Sequence, residues 1–221
     1  MTSSLDLAAL LCSRLCHDLL SPVGAINNGL ELLSDEKDPE MRDRCLELLE
    51  QSARISADKL KFFRLAFGAA GGFGEMVPTE EARQLIGALV ANNERLQLDW
   101  AVTERSLPKP AVKVLLNLAA IGLDSLVRGG TLAVGAEMRA GPSGRITEIA
   151  IRASGNRVAF DATIGQALDG TLDPAELSGR TAPAHMVHLL VAQEGGTLQA
   201  AHAPEALVLG VTMPAPDGLI G

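Results

Sequence analysis

Leu15-Cys16-His17-Asp18-Leu19-Leu20-Ser21-Pro22 is the stretch on which the fold turns. Carried through an α-helix at about 100° per residue, it belongs to an apolar stripe of Leu11, Leu15, Leu19, Val23, Ile26, Leu30 and Leu33. His17 points away from that stripe. Its helical neighbours are Leu10, Ser13, Ser21, Gly24 and Asn28, mostly small or polar. The imidazole is therefore expected in water, on a rigid element, with room beside it for a visitor. Most exposed polar side chains only solvate a face, and that is the plainest reading of His17. Three neighbours weigh against it. Asp18 can accept a hydrogen bond from one ring nitrogen and hold the other as a neutral nucleophile. Pro22 removes the helical bond to the Asp18 carbonyl, at a cost of about 3 kcal/mol, so this turn calls for compensation. Gly24 opens the surface further and weakens the helix.

Outward from this stretch, one helix is predicted from about Leu5 to Leu33 and a second from about Glu40 to Phe67. The polar run Ser34 to Pro39 forms the turn between them. The second helix has two apolar faces. Leu46, Leu49, Ala53, Ala57, Leu60, Phe63 and Phe67 make one, and Leu48, Ile55 and Phe62, seven apart, make the other. A single antiparallel hairpin covers only one of them. Leu48, Ile55 and Phe62 are therefore expected at a homodimer interface, where a second hairpin closes a four-helix bundle.

A chain of 221 residues has room for one or two domains with a sizeable core. The net charge is −8, with no basic cluster, no Tyr and a single Trp, which argues against direct contact with nucleic acid. No apolar run reaches the ~18 residues of a membrane span, and the first residues do not read as a signal peptide. Cys12, Cys16 and Cys45 are odd in number. Cys12 and Cys16, four apart, could suit a metal, but no further Cys or His completes a set, so no metal site is expected. Reduced thiols in a cytoplasmic protein, with Cys45 packed, are the expectation.

Residues 68–74 are glycine-rich and read as a linker, dividing the chain into units at 1–68 and 75–221. In the second unit Thr79 is expected to cap a helix through about Asn93, Leu96 to Val102 to form a strand, and Pro110 to start a helix ended near Gly129-Gly130. Strands are predicted at Thr131 to Met138 and Ile146 to Ala153, around a Gly-Pro-Ser-Gly turn. A short helix is expected near Ile164 to Leu168 and a longer one from Pro183 to Gln193. A closing hairpin, Thr197 to Ala201 and Ala206 to Met213, leaves His202 in its loop. The fold class is α+β: a helical hairpin, then an α/β sandwich whose sheet is covered on one face.

The first stretch resembles the phosphoacceptor helix of two-component histidine kinases, H-[ED]-x-x-x-P, matched by His17, Asp18 and Pro22. The element order of the second unit resembles the ATP-binding domain that follows the hairpin in those kinases, but its chemistry departs from the pattern. Asn117 keeps the first Asn of N-x-x-x-N, yet Ile121 stands at the metal position, and a hydrocarbon cannot ligate Mg²⁺. Ala153 stands where an Asp would accept the adenine amine. The phosphate loop is reduced to Gly179-Arg180-Thr181-Ala182-Pro183-Ala184, in which Pro183 has no N–H to offer.

The chain thus resembles the ChpT-type histidine phosphotransferases, and that resemblance implies a dimer that shuttles phosphoryl groups between receiver domains without binding ATP. His17 would be the phosphoacceptor and Asp18 its assistant, acting directly or through a neighbour or water. Leu10, Arg14, Leu20, Ser21 and Gly24 would form the docking surface. No cofactor is expected in the chain itself, and Mg²⁺ would come with the receiver. The implied partners are receivers of a hybrid histidine kinase and of response regulators. An ATP-dependent kinase with divergent boxes and a non-catalytic dimeric scaffold are the rival readings. His185 and His188, three apart on the last long helix, read as core or surface histidines.

Overall fold

The computed structural model describes residues 3–68, 74–141 and 144–215. Most of the expected linker, and the centre of the Gly-Pro-Ser-Gly turn, lie outside the described residues. Helix α1 runs Ser4–Asp35 and α2 Pro39–Ala66. Ser3 caps α1 in a reciprocal box with Asp6, each side chain accepting from the other's backbone N–H. Asp38 caps α2, and Pro39 occupies its first turn. Arg42 closes the turn by donating to the carbonyls of Leu33 and Glu36. The hairpin packs closely at Gly29, where a Cβ would stand 3.0 Å from the Leu49 side chain.

The rest of the chain builds β1 (Met76–Pro78), α3 (Thr79–Ala91), β2 (Leu96–Trp100), β3 (Ser106–Pro108), α4 (Lys109–Ser125), β4 (Gly130–Gly141) and β5 (Gly144–Ser154). There follow α5 (Ala162–Asp169), a 3-10 turn at Pro174–Glu176, α6 (Ala182–Gln193), β6 (Thr197–Ala203) and β7 (Ala206–Pro214). The main sheet has the order β2-β4-β5-β7-β6, with β2 parallel to β4 and the other pairs antiparallel. Side chains alternate across it. Leu132 and Val134, Ile149 and Ile151, and Leu207 and Leu209 face the helices, whereas Glu137, Ala150 and Arg152 face outward. Helix α4 is buried over most of its circumference and forms the centre of the core.

Several expectations change. Thr79 is not the cap of α3; Pro78 holds that place, and the Thr79 hydroxyl donates to the Glu104 carbonyl at 2.6 Å. Strands β1 and β3, paired antiparallel, were not predicted: each has three residues and ends in Pro, too short for alternation to show. Strand β6 extends to Ala203, so His202 lies on a strand.

The largest correction concerns α2. Phe62 is 2 % exposed and, with Phe63, Leu65 and Ala66, belongs to the core shared with the second half of the chain. It is not available to a second copy. Ile55 is half-buried, and of the expected interface triplet only Leu48 is exposed. Leu46, Ala53, Ala57 and Leu60, expected beneath α1, instead face solvent. The physical reason is the docking of α2 onto α3 and α4, which claims the end of the Phe62 face.

Candidate functional site

Helix α1 carries His17 with its side chain 84 % exposed. Nδ1 lies 3.1 Å from Asp18 Oδ1, so the contact is direct despite the helical divergence of adjacent residues. The other carboxylate oxygen of Asp18 accepts from Arg14 Nε at 2.8 Å. Arg14 Nη2 in turn donates to Asp124 Oδ2 on α4 at 2.9 Å. From α2, Lys59 Nζ donates to the Asp18 backbone carbonyl at 2.9 Å. That carbonyl is the one Pro22 leaves without its helical donor, so Lys59 supplies the missing hydrogen bond.

Burial opposes ionisation of Asp18. The hydrogen bonds from Arg14 and His17, with the charges of Arg14 and Lys59, outweigh it and hold the carboxyl below the usual carboxylate range. Burial also opposes the charge on Arg14, but Asp124 and Asp18 more than offset it and raise its pKa. An ionised carboxylate only accepts hydrogen bonds. A proton on Nδ1 satisfies that contact, and in the neutral ring of this tautomer the lone pair is on Nε2. The arrangement suits nucleophilic attack by Nε2 on an electrophile delivered from solvent.

An open cavity of about 370 Å³ lies beside the imidazole, lined by Ser13, Arg14, His17, Asp18, Gly179 and Arg180. Of the expected docking residues, Leu20 (69 % exposed) and Ser21 face solvent, and Gly24 has open space where a Cβ would stand. Leu10 and Arg14 are half-buried. Arg14 is paired with Asp18 and Asp124, and it lines the cavity beside His17. Lys59 and Asp124 were missed from sequence, and Gly179 and Arg180, read there as a reduced phosphate loop, were not expected beside His17. Only the Arg14–Asp18 pair, four apart on one helix, left a local signal.

Elsewhere, the His188 ring is engaged with the Leu168 carbonyl through Nδ1 at 3.1 Å, and His185 stacks on it. Burial, with the neighbouring His188, lowers the pKa of His185. His202 Nε2 lies 3.3 Å from the Val158 carbonyl. Among the described residues, no group of three or more His, Cys, Asp or Glu side chains is placed to hold a metal. Ile121 and Ala153 are core residues, and Pro183 is buried in the first turn of α6. Asn117 is 1 % exposed and donates through Nδ2 to the Ala66 carbonyl at 3.2 Å and the Lys113 carbonyl at 2.8 Å.

Residues 79–206 match the family described as "Histidine phosphotransferase C-terminal domain". The chain belongs to the histidine phosphotransferase family. Within that family it is similar to the protein phosphotransferase ChpT of Brucella abortus, 48 % identical over 132 residues. That match covers 60 % of this chain and 61 % of the relative, so it spans less than two thirds of the relative's length. The structure is similar to a solved bacterial phosphotransferase at TM-score 0.81 and 32 % identity, covering 96 % of this chain and 98 % of the other. A further similarity, at TM-score 0.47 and 9 % identity, is to the histidine kinase domain of the blue-light activated histidine kinase of Erythrobacter litoralis, covering 87 % of this chain and 96 % of that one. The family match begins at residue 79, after the hairpin, so the role of His17 rests on the geometry of α1.

Proposed function

We propose that this histidine phosphotransferase relays phosphoryl groups through His17, between receiver domains of a hybrid histidine kinase and of response regulators. The observation that carries this reading is the exposed imidazole held at Nδ1 by an ionised carboxylate. Nε2 attacks the phosphorus of a receiver aspartyl phosphate. The P–O bond breaks, its electron pair returns to the receiver carboxylate, and a P–N bond forms. The imidazole keeps its Nδ1 proton and gains positive charge, which Asp18 stabilises at 3.1 Å. Onward transfer is the reverse step to a second receiver. Charge on the transferring group needs a metal as well as protein cations, and Mg²⁺ belongs to the receiver in this reading.

The same reading has the chain take no phosphate from ATP. It is supported by Ile121 and Ala153 lying within the core, and by Asn117 spending its amide on backbone carbonyls. It is a homodimer through the hairpin, supported by exposed Val23, Leu30, Leu46 and Leu60. It acts in the cytoplasm, supported by three unpaired cysteines. Among the described residues, no helix is long and apolar enough to cross a membrane.

The test is incubation with a phosphorylated receiver domain. The wild-type chain should acquire an acid-labile, alkali-stable label, His17→Ala should acquire none, and His185→Ala and His188→Ala should be labelled normally. A labelled His17→Ala variant would overturn the reading, and an unlabelled wild type would favour the scaffold.

A further inference from the structure

The cavity beside His17 is lined by two cations, and they differ in what they already hold. Arg14 has Nε on Asp18 and Nη2 on Asp124, with its side chain 21 % exposed. Arg180 comes from the opposite wall, on the segment that precedes α6. Its side chain is 66 % exposed, and its one ion pair among the described residues is Nη1 to Asp161 Oδ2 at 3.1 Å. Asp161 is separately satisfied: its carboxylate caps α5 by accepting from the Thr163 N–H and hydroxyl. Among the described residues, most of the Arg180 guanidinium therefore has no protein acceptor.

The backbone that carries Arg180 is fixed in place. Ser178 and Thr181 close a tight turn, with the Ser178 N–H donating to Thr181 Oγ1 at 3.0 Å and the Thr181 N–H to the Ser178 carbonyl at 3.1 Å. Gly179 lies flat on α1, where a Cβ would stand 3.4 Å from both the Arg14 nitrogen and the Leu10 carbonyl oxygen. A pinned turn thus delivers a long, under-used cation to the wall of the cavity into which His17 opens.

We propose that Arg180 is a second catalytic residue, which contacts the oxygens of the phosphoryl group as it moves to and from His17. The proposal rests on His17 being the phosphoacceptor. Asp18 places a negative charge one hydrogen bond from the ring, and that charge repels an incoming anionic phosphoryl group. Arg14 and Lys59 balance it from the helix side. Arg180 balances it from the side the phosphoryl group enters. A guanidinium fits such oxygens with two parallel N–H bonds. It takes no proton: the PO₃ unit passes from donor to Nε2 with the electron pair of the broken bond returning to the donor.

Phosphoramidate is the probe that separates this role from receiver docking, because it delivers a phosphoryl group without a protein surface. Labelling of the full chain by phosphoramidate and by a phosphorylated receiver should be timed for wild type, Arg180→Ala, Arg180→Lys, Asp161→Asn and His17→Ala. Arg180→Ala should label at least about tenfold more slowly with both donors, Arg180→Lys should recover part of the rate, and Asp161→Asn should be no slower than wild type. Slowing with the receiver alone would make Arg180 a docking residue and overturn the proposal. Equal slowing by Asp161→Asn would reduce Arg180 to a structural ion pair, and unchanged rates in Arg180→Ala would remove it altogether. Labelling of His17→Ala at the wild-type rate would instead overturn the phosphoacceptor reading itself. Arg180 is exposed, so its truncation opens no cavity, and unaltered circular dichroism should accompany every rate.

Discussion

At the scale of single residues, the reactivity proposed for His17 depends on what lies beneath it. Asp18 is useful only while ionised, and it stays ionised because Arg14 and Lys59 surround it. Asp18→Asn should slow transfer by about tenfold to a hundredfold without abolishing it, since the carboxylate orients and stabilises the ring but carries no phosphoryl group. The same substitution has a pH signature. A carboxyl whose folded pKa is depressed contributes stability above its unfolded pKa, and that contribution is lost as pH falls through the folded value. In urea unfolding, wild type should exceed Asp18→Asn by about 1–2 kcal/mol at neutral pH, and the gap should close below about pH 4. A gap that persisted at acid pH would show that shape rather than charge is at stake. His17, Asp18 and Pro22 were legible in the sequence because they lie within one helical turn and a half. Lys59 and Asp124 were not, because they reach this turn across 41 residues from Asp18 and 110 from Arg14, and no local pattern encodes that meeting.

At the scale of elements, the long helices and the long strands could be read because their periods run for many residues, whereas β1 and β3, with three residues each, offer no period. Helix α4 shows how the use of a residue depends on the element packed against it. Asn117 was legible as a remnant of a nucleotide-binding pattern, but its role depends on where α2 ends, and the Ala66 carbonyl is its partner. Asn117→Ala removes a buried donor and leaves that carbonyl without it. The variant should unfold about 1–3 kcal/mol more easily, and amide exchange should quicken first at the junction of α2 and α4. The same helix bears on the kinase alternative. Ile121 on α4 and Ala153 on β5 are both in the core, and neither offers the oxygen that Mg²⁺ or an adenine amine needs. Calorimetry with ATP and Mg²⁺ should therefore record no binding heat. A clear single-site isotherm would return the chain to the kinases.

At the scale of the whole molecule, the sequence showed that α2 has more apolar surface than α1 can cover, but not which body covers which part. Periodicity assigns residues to a face; it does not name the partner. Phe62 faces the second half of its own chain, whereas Leu46, Leu48, Ala53, Ala57 and Leu60 of α2 and Val23 and Leu30 of α1 are exposed. Leu30 is 53 % exposed and Leu60 49 %, so both helices of the hairpin leave a large apolar side chain in water. Two kinds of substitution separate the two faces. Leu46→Glu with Leu60→Glu places charges at the proposed seam between hairpins, so sedimentation at micromolar concentration should find wild type dimeric and the double variant a folded monomer. Phe62→Glu buries a charge inside the chain's own core, so it should lower the melting temperature steeply whether or not the protein dimerises. If the double variant remains dimeric while Leu48→Glu dissociates, the seam follows the other face of α2. A wild-type chain that sediments as a monomer would remove the four-helix bundle from the mechanism and leave His17 to act on a lone hairpin.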